Sequence, residues 1–304
     1  MTSKKRLIVI QGPTASGKTA LGVMLAKHFG TEIISADSRQ FYKEMAIGTA
    51  KPTALEMDGI VHHFIDTHSI LNPISAFQFA EEANKLIKKE LKTKSTILIV
   101  GGSGLYIEAL TKGFDDIPHD PLIKEEIMND FKINGLQPFL EEIEMKDPDF
   151  YKSMDKKNTH RVLRSLEAIR ISNKTISELR NSSKTQLNYE LKTYTLMPER
   201  QFLYDLINKR VDLMMQNGLL DEVKPLFKHR NLRTLKTVGY TELFAYLDGD
   251  LPLHKSVELI KQHTRNFAKR QCTWFLNRSE SKVIHFNQKN NQKLMRDLLE
   301  DINC

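Results

Sequence analysis

The run Gly12-Pro13-Thr14-Ala15-Ser16-Gly17-Lys18-Thr19 fits the spacing Gly-x-x-x-x-Gly-Lys-Thr. That spacing has a definite chemistry: the chain wraps an anion so that backbone N–H groups converge on phosphate oxygens. Lys18 supplies a positive charge, and the Thr19 hydroxyl is placed for a magnesium ion. Two other residues have types suited to work beside a phosphate. Asp37 closes an apolar run at 32–36 and can hold a metal or take a proton from a nucleophile. Ser103 offers a hydroxyl within Gly101-Gly102-Ser103-Gly104. Enzymes that hydrolyse nucleotides on such a loop usually carry a second acid at the end of a later apolar strand. Here Ile97-Leu98-Ile99-Val100 runs into glycines, and the acid stands at Asp37 instead.

These groups need a scaffold. Leu7, Ile8, Val9 and Ile10 predict a buried parallel strand before the loop, while Leu21, Leu25 and Phe29 recur every four residues as one face of a following helix. Further strands are expected at 32–36 and 96–100. The helix between them, 75–92, carries Phe79, Ala83, Leu86, Ile87 and Leu91 on one side. Strands separated by helices predict an α/β fold with a P-loop NTPase-like parallel sheet core. Ligands in such sheets sit beyond the carboxyl ends of the strands, so the loop, Asp37 and Ser103 are expected around one crevice. From about 116 the pattern changes, with Pro118, Pro121, Pro138 and Pro148 dividing short helical stretches. The expected organisation is a first core segment at 1–115, a helical insertion domain at 116–189, and a return to the core at 190–304. That return is mostly helical, with helices at 199–217, 219–229 and 254–277 and strands at 192–197 and 282–286.

The chain has 304 residues and a formal net charge of +7, which permits a polyanionic partner without specifying one. No apolar run is long enough to span a membrane, and no signal region is apparent, so a cytoplasmic protein is expected. Its two cysteines, Cys272 and Cys304, stand in no metal-binding pattern. His62 and His63 are adjacent on an extended segment and point to opposite sides, with no acidic partner spaced for them, so a structural role is expected. In 254–277, Ile260, Phe267 and Trp274 form an apolar stripe expected in the core, and Lys261, Arg265 and Lys269 form a basic one. Lys228, His229, Arg230, Arg233 and Lys236 add a second basic run. Near 158–172, Val162, Leu166 and Ile169 share a face from which Arg161 and Arg164 point away. Spacing leaves two uses for that pair open: gripping phosphates, or pairing Arg164 with Glu167. On the residues alone, a small-molecule kinase and a nonenzymatic RNA-binding protein using the loop as an anion site both stay open.

The phosphate loop, Ser35-Ala36-Asp37-Ser38-Arg39-Gln40, Gly48-Thr49-Ala50-Lys51-Pro52 and Val100-Gly101-Gly102-Ser103-Gly104-Leu105-Tyr106 together resemble the bacterial tRNA dimethylallyltransferases. Later segments agree in order: Arg161 to Glu167, Arg210-Val211-Asp212, Val238-Gly239-Tyr240 and Lys269-Arg270-Gln271-Cys272-Thr273-Trp274. The resemblance implies transfer of a dimethylallyl group from dimethylallyl diphosphate to the N6 amine of the adenosine just 3′ of the tRNA anticodon, in tRNAs reading codons that begin with U. It implies magnesium as cofactor, the tRNA anticodon stem-loop as partner, and a monomer with no membrane partner. It gives catalytic roles to Asp37 as base, Ser103 and Arg210, with Arg210 on the pyrophosphate. Gly12 to Thr19 hold the diphosphate, and Thr19 the metal. It places Asp37, Ser38, Arg39, Gln40, His160, Arg161, Val162, Leu163, Arg164, Lys236, Gly239 and Tyr240 against the tRNA. Ser103 stands where the family more often has threonine, and His160 where a longer polar residue is common. The target amine lies inside an anticodon loop, so the nucleotide must be extruded into a pocket, whose mouth the Asp37–Gln40 segment is expected to form.

Overall fold

Leu7, Ile8, Val9 and Ile10 lie at 1% exposure or less, as a strand covered on both faces requires. A computed structural model gives the protein's structure and describes residues 5–89, 91–113, 118, 120–180, 189–287 and 298–302. In chain order, β1 (Arg6–Gln11), α1 (Lys18–Phe29), β2 (Ile33–Ser35), α2 (Ala54–Met57), β3 (His62–His63), α3 (Ala76–Lys89), β4 (Thr96–Gly101) and α4 (Gly104–Lys112) come first. Five helices follow: α5 (Pro121–Asn134), α6 (Gln137–Lys146), α7 (Pro148–Ser153), α8 (Thr159–Ser172) and α9 (Ile176–Arg180). The chain then forms β5 (Glu190–Pro198), α10 (Arg200–Gln216), α11 (Leu219–Leu226), α12 (Tyr240–Leu247), α13 (Leu253–Arg278) and β6 (Lys282–Phe286).

Among the described residues the six strands make one sheet in the order β3-β2-β4-β1-β5-β6, with every pairing parallel. The mixed α/β fold expected from the sequence is therefore present. β1 is central, in register with β4 from Arg6↔Thr96 to Gln11↔Gly101 and with β5 from Arg6↔Glu190 to Gln11↔Thr195. Its carboxyl end, where the phosphate loop begins, thus stands between those of β4 and β5, with that of β2 on the far side of β4.

Two compact units are present: Met1–Thr111 with Asn188–Cys304, and Lys112–Leu187. In the second, Pro121, Pro138 and Pro148 each fall in the first two positions of a helix, where a missing N–H costs nothing. Ile127, Phe139, Ile143, Phe150, Val162, Leu166 and Ile169 fill its core. In the first unit, α1 packs on the sheet through Leu21 and Leu25. A separate core around Tyr240 joins α11, α12 and α13 through Leu219, Val223, Leu243 and Ile260.

Some details differ from expectation. The helix expected over 219–229 stops at Leu226, just after Pro225, and continues as a 3₁₀ turn at Phe227–His229. The apolar stripe read on α13 fails at Phe267, which is 42% exposed. A seven-residue repeat drifts by about 20° per heptad on a straight helix. Ala268 takes the inward position instead, against Leu203 and Ile207 of α10.

Candidate active site

The phosphate loop leaves β1 at Gln11 and turns into α1 through Gly17, whose φ of 77° is open to glycine at little cost. The first N–H groups of α1 have no partners within the helix and face the loop's concavity, where the positive end of the helix dipole lies. Lys18 folds back over the loop, and its Nζ donates to the Pro13 carbonyl at 2.6 Å and to Ser16 Oγ at 3.4 Å. Arg210, on α10, donates from Nη1 to Thr14 Oγ1 at 3.2 Å, so a second cation reaches the loop.

β4 approaches β2 closely at Gly101: a side chain there would collide with the backbone of Ala36, its Cβ falling 2.2 Å from the Ala36 carbonyl oxygen. This contact brings the glycine turn against Asp37 and Ser38. The Ser38 N–H donates to Ser103 Oγ at 2.9 Å, and the Ser103 hydroxyl donates to Ser38 Oγ at 3.1 Å. Asp37 Oδ1 accepts the Arg39 N–H at 3.3 Å. Among the described residues its Oδ2 accepts no hydrogen bond. One carboxylate oxygen is thus left for a ligand, in the field of Lys18 and Arg210.

Lys18 and Arg210 keep some solvent exposure, yet protein atoms close in around their charged ends. Burial pushes the Lys18 ammonium down to about 8, with Asp37 opposing the fall and Arg210 adding to it. Burial also lowers Arg210, against the pull of Asp37 and then Glu56. The sign for ligand binding follows: an anion restores the Lys18 pKa toward its usual 10.5, so binding above about pH 8 takes up a proton. Pyrophosphate affinity should therefore fall as pH rises through about 8, and calorimetry in buffers of different ionisation enthalpy should show proton uptake. A flat profile with no uptake would remove Lys18 from the site. For folding, the depressed pKa makes the charged form a cost below about pH 8, relieved as pH rises toward 10.5.

Other residues read from the sequence land differently. Gln40 is buried, and its Nε2 donates to the carbonyls of Thr49 and Ala50 at 3.2 and 3.1 Å. Arg39 is tied by Nη1 to the Thr234 carbonyl at 2.7 Å. Tyr240 is a correction: expected against RNA, it is fully buried, and its hydroxyl donates to Glu222 Oε1 at 2.6 Å. Gly239 is buried beside it, its N–H on Glu242 Oε2 at 2.8 Å. Val162 and Leu163 are corrected likewise; at 0% and 8% exposure they belong to the core of the helical unit, as the apolar face of α8 demands. Arg164 takes the second of its two uses, with Nη1 3.0 Å from Glu167 Oε2 and 2.7 Å from the Pro118 carbonyl. Arg161 lies over the Phe150 ring at 6.0 Å, while His160 and Lys236 are exposed. Of the basic stripe on α13, Lys261 is paired with Asp212 and Glu258, Arg265 donates to Asn208, and Lys269 is exposed. His63 Nε2 lies 2.6 Å from Glu32 Oε2, an acidic partner that the spacing did not reveal, because β3 pairs with β2 only in the folded sheet.

Two contributors were missed. Gln271, 9% exposed on α13, accepts the Thr14 N–H at 2.9 Å and donates to the Gly102 carbonyl at 2.9 Å. Glu222, on α11, accepts from the backbone N–H groups of Ala46, Ile47 and Gly48 at 2.9, 2.6 and 3.0 Å. The first sat inside a segment already noted for resemblance; the second gave no signal, because its partners lie about 175 residues away in sequence.

A phosphate loop on a parallel sheet, with a free carboxylate just past β2 and none closing β4, defines the phosphate-loop class of α/β proteins. A family model described as IPP transferase matches residues 40–279. The chain is 43% identical over 295 residues to a tRNA dimethylallyltransferase of Christiangramia forsetii, covering 97% of each. It also superposes on the full-length tRNA isopentenylpyrophosphate transferase of Bacillus halodurans, with a TM-score of 0.72 and 35% identity over 99% of this chain and 96% of that one. A eukaryotic dimethylallyltransferase acting on tRNA, 24% identical, shares the fold with a TM-score of 0.80, over 98% of this chain and 80% of that one. The chain belongs to the IPP transferase family.

Proposed function

We infer that the chain transfers a dimethylallyl group from dimethylallyl diphosphate to the N6 amine of the adenosine immediately 3′ of the tRNA anticodon. The reaction releases pyrophosphate and gives N6-isopentenyladenosine, in tRNAs reading codons that begin with U. The observation that carries this reading is the free Asp37 Oδ2 in the field of the two cations that hold the phosphate loop, Lys18 and Arg210. As the allylic carbon–oxygen bond breaks, negative charge grows on the departing pyrophosphate; the loop N–H groups, Lys18 and Arg210 stabilise it. As the carbon–nitrogen bond forms, the amine proton passes to Asp37. Ser103 holds the Asp37–Ser38 turn in place through its two hydrogen bonds to Ser38.

Magnesium fits the donors present. The Thr19 hydroxyl, in the first turn of α1, is a hard ligand, and this ion characteristically takes one or two protein oxygens and completes its shell from phosphate and water. When bound it would neutralise part of the diphosphate charge. RNA contact is assigned to Ser38, Arg39, His160, Arg161 and Lys236. The setting is assigned to the cytoplasm and the acting species to a monomer; no described helix is long and apolar enough to cross a membrane.

The test is transfer of label from radiolabelled dimethylallyl diphosphate to unmodified tRNA, with magnesium and without ATP, followed by nucleoside analysis. Label in the adenosine beside the anticodon is the expected result. ATP turnover on a small metabolite with no label in RNA would instead make the protein a kinase, and tight tRNA binding without transfer would make it a binding protein.

A further inference from the structure

We propose that Gln271 is a positioning residue of the diphosphate site, a clamp by which α13 fixes the phosphate loop against the glycine turn. The proposal rests on the functional reading above and adds a residue to it.

A primary amide in the interior of a helix face is costly unless both of its ends are satisfied. The neighbouring inward positions of α13, Ala268 and Phe275, are apolar, so packing alone does not call for an amide there. Both ends of Gln271 are satisfied, each by a backbone group in one of the two loops that build the site: the Thr14 N–H and the Gly102 carbonyl. Only the oxygen can accept from an N–H and only the NH₂ can donate to a carbonyl, so the two partners fix the orientation of the amide. The surroundings are shaped to it. A Cβ on Gly102 would stand 2.8 Å from Gln271 Nε2, 3.5 Å from the Gly12 carbonyl oxygen and 3.9 Å from Asp37 Oδ2, so at this point the first glycine of the loop, the glycine turn, the base and the clamp meet.

Thr14 is held twice, by Gln271 at its N–H and by Arg210 at its hydroxyl. With the third residue of the loop fixed, the N–H groups that follow keep their aim at the ligand. Through Gly102 the same side chain sets the spacing between that ligand and Asp37. Small errors in such spacing are expensive, a misplacement of about 1 Å costing about a hundredfold in rate.

Gln271→Met keeps the length of the side chain and removes both hydrogen bonds. Inorganic pyrophosphate binding by calorimetry, tRNA binding, and the kcat and KM of transfer would be measured on this variant and the unaltered protein. The expected result is pyrophosphate affinity weakened about tenfold and kcat lowered about tenfold or more, with tRNA affinity and melting temperature little changed. A folded Gln271→Met protein with unaltered pyrophosphate affinity and kcat overturns the clamp alone. Failure of the unaltered protein to bind pyrophosphate overturns the functional reading, and the clamp with it. A readout independent of any variant is hydrogen exchange at the Thr14 amide of the unaltered protein, which should be strongly protected; fast exchange there would also overturn the clamp.

Discussion

Asp37→Ala should abolish dimethylallyl transfer while leaving pyrophosphate binding in place. The carboxylate keeps one oxygen without a hydrogen bond among the described residues, and general-base removal typically costs about 10²–10⁴ in rate. On the proposed reading the phosphate contacts belong to other residues, namely the loop, Lys18 and Arg210, so affinity for pyrophosphate should fall little or even rise as a negative charge is removed from the site. Asp37→Asn is the sharper test, because an amide oxygen can still accept the Arg39 N–H while the base is lost. The measurement is kcat for label transfer beside calorimetric binding of pyrophosphate. Near-normal turnover in the asparagine variant would take the proton elsewhere.

Glu222→Ala should destabilise the protein by about 3 kcal/mol. The carboxylate gathers three consecutive backbone N–H groups and the Tyr240 hydroxyl. Removing it leaves the exposed Ala46 N–H to water and the half-buried Ile47, Gly48 and Tyr240 donors without their acceptor, at about 1 kcal/mol for each half-buried one, with incomplete additivity. Tyr240→Phe removes only the hydroxyl and should cost about 1 kcal/mol. Urea unfolding of the two variants gives the comparison. Equal midpoints for Glu222→Ala and the unaltered protein would mean that water replaces the carboxylate. The segment held in this way continues into Thr49 and Ala50, which Gln40 and Arg210 grip from the other side, so transfer should weaken in the folded fraction as well.

The local parts of the site were legible because their geometry is local. A strand, a glycine loop and a helix follow one another over residues 6–29, so the fold of the phosphate loop is written in contiguous sequence. Apolar runs named β1, β4, β5 and β6, and only β3 was too short to show; two residues carry no periodicity. The parallel order also put Asp37 and the Ser103 turn at one crevice, and there Ser38 and Ser103 are hydrogen-bonded to each other. What stayed hidden depends on contacts across the chain. Tyr240 sits in a motif that resembles an RNA-contacting segment, but its burial is decided by Gly48, which admits the ring by having no side chain in its way. Val162 was readable from its helical face, and the periodicity was the better guide there than the motif. Gln271 and Glu222 act on backbone groups far away in sequence, which no pattern of side chains records.

The bond from Lys18 to the Pro13 carbonyl has a thermodynamic corollary. Before any substrate arrives, the loop is already folded around its own ammonium group, with Thr14 pinned by Gln271 and Arg210. On the proposed function, an incoming diphosphate should therefore exchange one partner of the cation for a better one, without having to order a slack segment. Little conformational entropy should be lost on binding. The product pyrophosphate meets the same ready-made cradle, so its departure, rather than the bond-making step, is a natural candidate for the slow event in each cycle.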